Sequence, residues 1–134
     1  MFLLKWVWQF PQNLIAVLIL LFNSKREKAC KGGISYFIVD RGTFGCGVSL
    51  GNYILIPRGR DDEIIIKHEH GHQYQSLYFG IFYLLLIGLP SGINNIWDRI
   101  FHRKWSSAER IKWYYNRYPE KWADKLGKVK RSFS

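Results

Sequence analysis

The spacing of apolar positions sets off an N-terminal segment first. Residues 1–22 are mostly apolar, and polar residues between positions 5 and 13 interrupt them. The uninterrupted run that follows, residues 14–22, has nine residues, whereas a spanning helix needs about 20. We therefore expect an apolar helix that is a retained membrane anchor (a tilted span, a re-entrant hairpin or an interfacial helix) or, alternatively, a buried core helix.

A second pattern, β-branched and aromatic residues punctuated by glycines, covers residues 32–57. It predicts three short strands, at residues 34–39, 43–48 and 52–56, because turn signals separate the three runs. Strands joined by such short turns favour a small antiparallel meander. This sheet precedes a helical half of the chain.

Helix-compatible sequence then runs from residue 63 to Pro90, and Asp61 or Asp62 can cap its start. Its second part, residues 78–89, carries no charge, which fits either a central buried helix or a segment lying partly in lipid. Capping residues predict three shorter helices and a tail beyond it. The helices cover residues 91–97, 107–116 and 119–127, and residues 128–134 form a frayed basic tail.

Length and composition limit the class of protein. A chain of 134 residues makes one domain, and 48% hydrophobic residues exclude a disordered tail. The expected architecture is a single α+β domain over residues 1–134, with a small antiparallel β-sheet followed by helices. The net charge of +10 favours an anionic partner, either nucleic acid or bilayer headgroups. The basic cluster at residues 25–31 predicts a cytoplasmic flank by the positive-inside tendency.

The two cysteines, Cys30 and Cys46, are too few for a disulfide framework or a four-cysteine zinc site. Two reduced thiols are expected, with a single bridge as the alternative. Any metal must therefore find other ligands.

Those ligands are available in an HExxH sequence at residues 68–72, inside the predicted long helix. At about 100° per residue, His68 and His72 lie about 40° apart on one helix face, so both imidazoles can reach one Zn²⁺. Glu69 stands beside that metal, whereas His70 lies about 200° from His68 and is expected to pack or hydrogen-bond elsewhere. A catalytic zinc needs a third protein ligand.

A pair of acidic residues four positions apart follows on the last predicted helix. Glu120 and Asp124 share a helix face, so Glu120 can ligate the metal while Asp124 accepts the second ring N–H of a ligating histidine. The alternative is a solvated helix face among Lys121 and Lys125.

At these two motifs the chain resembles the gluzincin metallopeptidases, which pair HExxH with a later glutamate ligand. Its E-x-x-A-D sequence is most similar to the branch with the membrane-bound prenyl-protein and heat-shock zinc proteases. The resemblance covers the motifs and their order, with 47 residues between His72 and Glu120, and implies a minimal zincin-like fold. It implies these roles: zinc ligands His68, His72 and Glu120, general base Glu69, and supporting carboxylate Asp124.

The phrases WQFPQN, GLPSGINN and YYNRYPEKWADKLG also resemble a family of short bacterial proteins. No catalytic role follows from that likeness.

Two further substrate contacts are expected. Gluzincins bind extended peptide along a sheet edge, so residues 52–56 are either such an edge or an ordinary core strand. The oxyanion needs a donor, for which we favour Tyr115, while His102 is expected at the surface beside Arg103. The full set of candidate donors is His102, Tyr114, Tyr115, Arg117 and Tyr118.

The leading hypothesis is a membrane-associated zinc peptidase whose water is activated by Zn²⁺ and Glu69. Its substrate is a peptide or protein near the bilayer, and its catalytic part is expected in the cytoplasm. The alternative is a non-catalytic zinc-binding scaffold at the membrane. A nucleic-acid-binding module ranks last, and no nucleic-acid partner is expected. The basic residues, which give +7 over residues 97–134, form no recognition motif.

Overall fold

The computed structural model describes residues 1–132, and across them the chain forms six α-helices and a four-stranded sheet. The predicted α+β class is therefore confirmed. The helices are α1 Phe2–Trp8, α2 Phe10–Leu21, α3 Glu63–Phe79, α4 Leu89–Phe101, α5 Ser107–Tyr115 and α6 Glu120–Leu126, and the strands are β1 Glu27–Lys31, β2 Ile34–Val39, β3 Val48–Leu50 and β4 Tyr53–Pro57. Residues 133 and 134, the end of the predicted tail, lie outside the described residues.

The sheet is mixed, so the predicted antiparallel meander is wrong. Its strand order is β1-β2-β4-β3, and β2 runs parallel to β4, with Phe37 opposite Leu55. The chain leaves β2, crosses to the far edge to form β3, and turns back into β4 between them. Residues 43–47, which were predicted to be strand, belong to this crossing loop.

Strand β1 escaped prediction because it is an edge strand with no buried face. Four of its five residues are exposed and the fifth is half-buried. An edge strand can be short and charged, since only one side pairs with the sheet. The basic cluster that was expected to flank a membrane segment therefore includes a strand of the sheet.

The core lies on both faces of β4. Ile54, Leu55 and Ile56 are each fully buried, with 0% of their surface exposed, as expected for a central strand covered on both sides. On one face Leu55 packs with Ala16 and Leu20 from α2, and on the other face Ile54 and Ile56 pack with residues that include Ile66 of α3. The sheet thus holds α2 and α3 on opposite sides.

The N-terminal segment is two helices bent by 98° at Gln9. Three of the polar residues that interrupt its apolar sequence, Gln9, Gln12 and Asn13, are buried and bind it to the rest of the domain. Ser76 of α3 donates its hydroxyl to Gln9 Oε1 at 2.6 Å and accepts from Gln12 Nε2 at 3.0 Å. Asn13 Oδ1 accepts from the backbone N–H of Asn52 at 2.8 Å. These bonds place α2 against the sheet.

Within residues 1–132 no single helix is both long and apolar enough to cross a bilayer. The bent pair α1–α2 meets that requirement only when its two arms are counted together.

The long helix predicted over residues 63–90 ends early, at Phe79. Gly80 adopts a positive φ of 52°, and a Cβ there would lie 2.1 Å from the ring of Trp8. Both features require glycine. After a 3₁₀ turn and a π turn, Pro90 lies in the first turn of α4, where its missing N–H costs nothing.

The last two helices follow the predicted capping pattern. Ser106 and Glu109 form the capping box of α5, with Glu109 N–H to Ser106 Oγ at 3.2 Å and Ser106 N–H to Glu109 Oε2 at 2.7 Å. Helix α6 lies between Pro119 and Gly127. It packs against α3, and this contact brings Glu120 and Asp124 to His68.

Candidate metal centre

Helices α3 and α6 bring the three predicted ligands to one point. The Nε2 atoms of His68 and His72 lie 2.9 and 3.0 Å from Glu120 Oε2, and 3.1 Å from each other. All three side chains are buried. The three atoms form a triangle. The i, i+4 spacing of the histidines places two of its corners on one face of α3.

Partners on the far side of each ring fix which nitrogen faces the triangle. His68 Nδ1 lies 2.7 Å from Asp124 Oδ1, and His72 Nδ1 lies 2.7 Å from Gln75 Oε1. Gln75 in turn donates through Nε2 to the carbonyl of Pro119 at 3.1 Å, so its oxygen faces His72. Because these two oxygens only accept, both Nδ1 atoms donate and both Nε2 atoms present lone pairs when the rings are neutral.

Three lone pairs within 3.1 Å of one another repel unless a cation lies among them. A zinc ion that binds its ligand atoms at about 2.1 Å in tetrahedral geometry holds those atoms about 3.4 Å apart. The observed separations of 2.9–3.1 Å are only a few tenths of an ångström shorter. Two imidazoles and a carboxylate are a donor set that zinc accepts in hydrolases. The residues present therefore fit a zinc ion.

Without a metal, a proton can take the place of the cation. Burial would lower the pKa of His68, but its hydrogen bonds to Asp124 and Glu120 outweigh burial and raise the pKa to about 9. Burial would raise the pKa of Glu120, yet the charge of His72 and the bonds from both histidines hold it well below its usual range. At neutral pH the metal-free site is thus a buried, proton-sharing cluster.

The second oxygen of Glu120 is held by two hydroxyl groups. Ser91 of α4 and Tyr114 of α5 both donate to Oε1, the latter at 3.2 Å. The sequence indicated position 91 only as the start of a helix, and Tyr114 was a candidate oxyanion donor. In the structure both hydroxyl groups hold the Glu120 carboxylate.

Asp124 has a partner that the sequence did not indicate. Arg131 binds it with two nitrogens, Nε at 2.6 Å from Oδ2 and Nη2 at 3.1 Å from Oδ1. The same guanidinium lies 3.4 Å above the ring of Tyr115. The predicted frayed tail is therefore wrong for residues 128–132, because Arg131 returns to the site and the backbone N–H of Val129 donates to Asp124 O.

Glycine at position 71 allows α6 to come close to α3. A Cβ on Gly71 would lie 1.9 Å from the carbonyl oxygen of Ala123, and one on Gly127 would lie 1.9 Å from the carbonyl oxygen of Lys67. The two helix backbones could not lie so close together if either position carried a side chain. The spacing that puts Glu120 and Asp124 on His68 depends on these two glycines.

The metal site opens into a cavity of about 640 Å³. Glu69 lines it, and burial raises the pKa of this carboxyl group above its ordinary value. Gly47 of the crossing loop lies against Glu69, since a Cβ there would be 3.0 Å from Oε1. Glu69 thus shares a largely apolar cavity with His68, His72 and Glu120.

Tyr115 also lines this cavity, with its ring edge-on to His68 at a centroid distance of 5.0 Å. Burial raises the pKa of Tyr115 to about 12, so its hydroxyl remains a neutral donor at neutral pH. Its role as oxyanion donor stays a prediction.

Three other candidate donors face away from the cavity. Tyr118 donates to the carbonyl of Leu86, and Arg117 stacks on Trp113. His102 was expected at the surface, and that is wrong: it is buried, bonded to Asp98 at 2.9 Å and stacked on Trp105 at 3.7 Å. His70 packs away from the site as expected, bonded to Gln73.

The strand proposed as a peptide-binding edge is a core strand. Strand β4 is paired on both sides, so it has no free edge. The edge beside the cavity is β3, and its Ser49 carbonyl already accepts the hydroxyl of Tyr83 at 3.1 Å. The second alternative given for residues 52–56 is therefore correct.

No protein-family model matches this chain, and neither a curated protein nor a solved structure matches it. The likeness to gluzincins thus rests on two motifs and on the cluster of His68, His72 and Glu120.

Proposed function

We propose that the protein is a zinc-dependent peptidase that works at a membrane surface. One observation carries the proposal: three buried atoms that could ligate a metal lie within 3.1 Å of one another in the wall of a cavity that Glu69 also lines. The neighbouring bonds support it, since Asp124 and Gln75 hold the outer ring nitrogens of the two histidines.

Zinc in this site would supply a Lewis acid, which acidifies a water molecule and polarises a substrate carbonyl. The residues of the chain do the rest. Glu69, with its raised pKa, takes a proton from the water and returns it to the leaving amine. Tyr115 donates a hydrogen bond from the cavity wall to the developing oxyanion. Ser91 and Tyr114 keep Glu120 in place.

Glu69→Gln is expected to lower peptide cleavage by about 10²–10⁴-fold, because the amide cannot take a proton. Zinc content should remain one ion per chain, since Glu69 is not among the ligands. The measurement is cleavage of a broad peptide library by the zinc-loaded protein, with metal content determined on the same samples. His72→Ala serves as the comparison that loses zinc as well as activity.

The alternative, a non-catalytic zinc-binding scaffold, predicts a different pair of results. Stoichiometric zinc with no Glu69-dependent cleavage of any peptide would rule out the peptidase and favour the scaffold.

The membrane part of the proposal rests on an exposed apolar belt, which we define as the outer faces of α1, of residues 81–89 and of α4. Trp8 connects α1 to the turn before residue 81, because its indole N–H donates to Leu77 O at 2.8 Å and its ring lies over Gly80. Apolar faces of this extent are typical of interaction surfaces. Their exposed members include Phe2, Leu3, Leu4, Val7, Phe82, Leu85, Leu89, Ile93, Ile96, Ile100 and Phe101.

The charge distribution supports lipid headgroups as the partner of the apolar belt. Lys5 on α1 and Arg103 and Lys104 just after α4 are exposed near it. Asp98 is the only acidic residue between positions 73 and 105, and it is buried and bound to Arg110. A basic rim around aromatic and aliphatic residues fits an anionic bilayer surface.

Replacing both Trp97 and Phe101 by serine is expected to weaken binding to vesicles of phosphatidylglycerol and phosphatidylcholine at least tenfold, because two large exposed side chains no longer enter the interface. Co-sedimentation at low ionic strength measures it. Ile111→Ser, on exposed α5, is the matched control and should bind as the unchanged protein does. Failure of the unchanged protein to sediment with anionic vesicles would contradict the membrane proposal.

A further inference from the structure

Two arginines line the metal cavity from different parts of the fold. Arg60 comes from the loop after β4, and Arg99 comes from α4. Both side chains are exposed, and both guanidinium groups bond to the loop at residues 44–46. No lysine lines this cavity among the described residues. Of residues 1–132, the acidic ones that line it are Glu69 and Glu120, which lie at the candidate metal site.

Neither guanidinium is neutralised by a carboxylate among residues 1–132. Arg99 donates through Nη2 to the carbonyl of Phe44 and to Cys46 Sγ, each at 3.0 Å, and Arg60 reaches the carbonyl of Gly45 at 3.4 Å. These partners are neutral or weak acceptors. Three other arginines, Arg58, Arg110 and Arg131, each bind a carboxylate within 3.0 Å. Two unpaired guanidinium groups at a largely apolar cavity favour an anionic ligand.

The position of Arg99 on α4 sets its distance from the metal. Ser91, which donates to Glu120, lies eight residues before Arg99 on the same helix, or about 12 Å along its axis. The Arg99 side chain leans back toward the helix N-terminus, which shortens this distance. Extended peptide advances about 3.3 Å per residue, so the guanidinium lies two to four residues from the metal end.

Much of the cavity lining is apolar and includes Val48, Leu84 and Ile96. A peptide in this cavity would therefore combine apolar side chains with a charged group near the two arginines.

We propose that Arg60 and Arg99 form a subsite for a peptide carboxylate two to four residues from the scissile bond. The carboxylate is that of an acidic side chain or of the peptide's C-terminus. This inference rests on the proposed peptidase function, which it deepens by naming the class of substrate.

The test uses quenched fluorescent peptides with an apolar centre. In one arm Glu is moved along the peptide and compared with Gln at each position; in the other a free C-terminal carboxylate is compared with the amide. When the carboxylate lies two to four residues from the scissile bond, the zinc-loaded protein should cleave the charged peptide with a kcat/KM about tenfold to a hundredfold higher than that for its neutral counterpart. Arg99→Gln and Arg60→Gln should bring that ratio toward one. Lys112→Gln, which removes an exposed charge outside the cavity, should leave it unchanged.

Binding separates this inference from the function on which it rests. The zinc-loaded Glu69→Gln variant should bind the charged peptides more tightly than the neutral ones, as measured by fluorescence anisotropy, and adding Arg99→Gln should remove the difference. Cleavage with no charge preference at any position would overturn the subsite and leave the peptidase in place. Arginine-dependent binding without any cleavage would overturn the peptidase and leave the subsite.

Discussion

Gly71→Ala is expected to separate α6 from α3 and to lower zinc affinity at least a hundredfold. The new Cβ would lie 1.9 Å from the carbonyl oxygen of Ala123 and 2.6 Å from its carbonyl carbon. These are backbone atoms of α6, so a side-chain rotation cannot relieve the clash. The shift would move Glu120 away from the two histidines, and overpacking costs about 3 kcal/mol of folding free energy. Denaturant unfolding measures the stability, and competition with a chelator measures the zinc affinity.

The control for this substitution is Gly92→Ala. Gly92 is also a helical glycine, on α4, but a Cβ there meets nothing within 4 Å. Alanine at that position should stabilise the protein by about 0.5–1 kcal/mol and leave zinc affinity unchanged. Wild-type zinc affinity in Gly71→Ala would show that the close approach of α3 and α6 does not govern the site.

Local rules account for what the sequence could predict about the site. His68 and His72 lie four residues apart on one helix, as do Glu120 and Asp124 on another, so helix geometry alone puts each pair on one face. Their meeting across 47 intervening residues came from a resemblance between motifs, not from geometry. Residues that reach the site from other elements, such as Ser91 and Arg131, left no local signal.

Long-range pairing also explains the errors in the sheet. Short turns between apolar runs favour hairpins, yet β2 pairs with β4 in parallel across a loop that first forms β3. No local rule distinguishes these two arrangements. The end of α3 at Gly80 likewise depends on the distant Trp8, which occupies the space that a side chain there would need.

Zinc binding is expected to strengthen about tenfold for each pH unit between pH 7 and 9, and then to level off. In the metal-free protein the pKa of His68 is about 9, so at pH 7 the ring carries a proton that zinc must displace. Above pH 9 that proton is already gone. Titration calorimetry in buffers of different ionisation enthalpy measures both the affinity and the release of about one proton at pH 7.

The same raised pKa determines how the stability of the metal-free protein changes with pH. A pKa raised from 6.5 to about 9 in the folded state stabilises the fold fully below pH 6.5, and this contribution is lost as pH rises through 9. Zinc at a thousandfold its Kd adds about 4 kcal/mol to the free energy of unfolding. Thermal unfolding should therefore show a zinc effect that grows with pH, because the metal replaces a proton that the site no longer holds.

His70→Gln is the matched control, since this third histidine of the motif bonds to Gln73 and not to the metal site. Its zinc affinity and pH dependence should equal those of the unchanged protein, whereas His72→Ala should lose both. An affinity that stays flat from pH 7 to 9 would mean that no proton shares the site with His68 and Glu120. His68 Nε2 and Glu120 Oε2 lie 2.9 Å apart, and two lone pairs at that distance repel. Without a shared proton, this close contact would need another cation even before zinc is added.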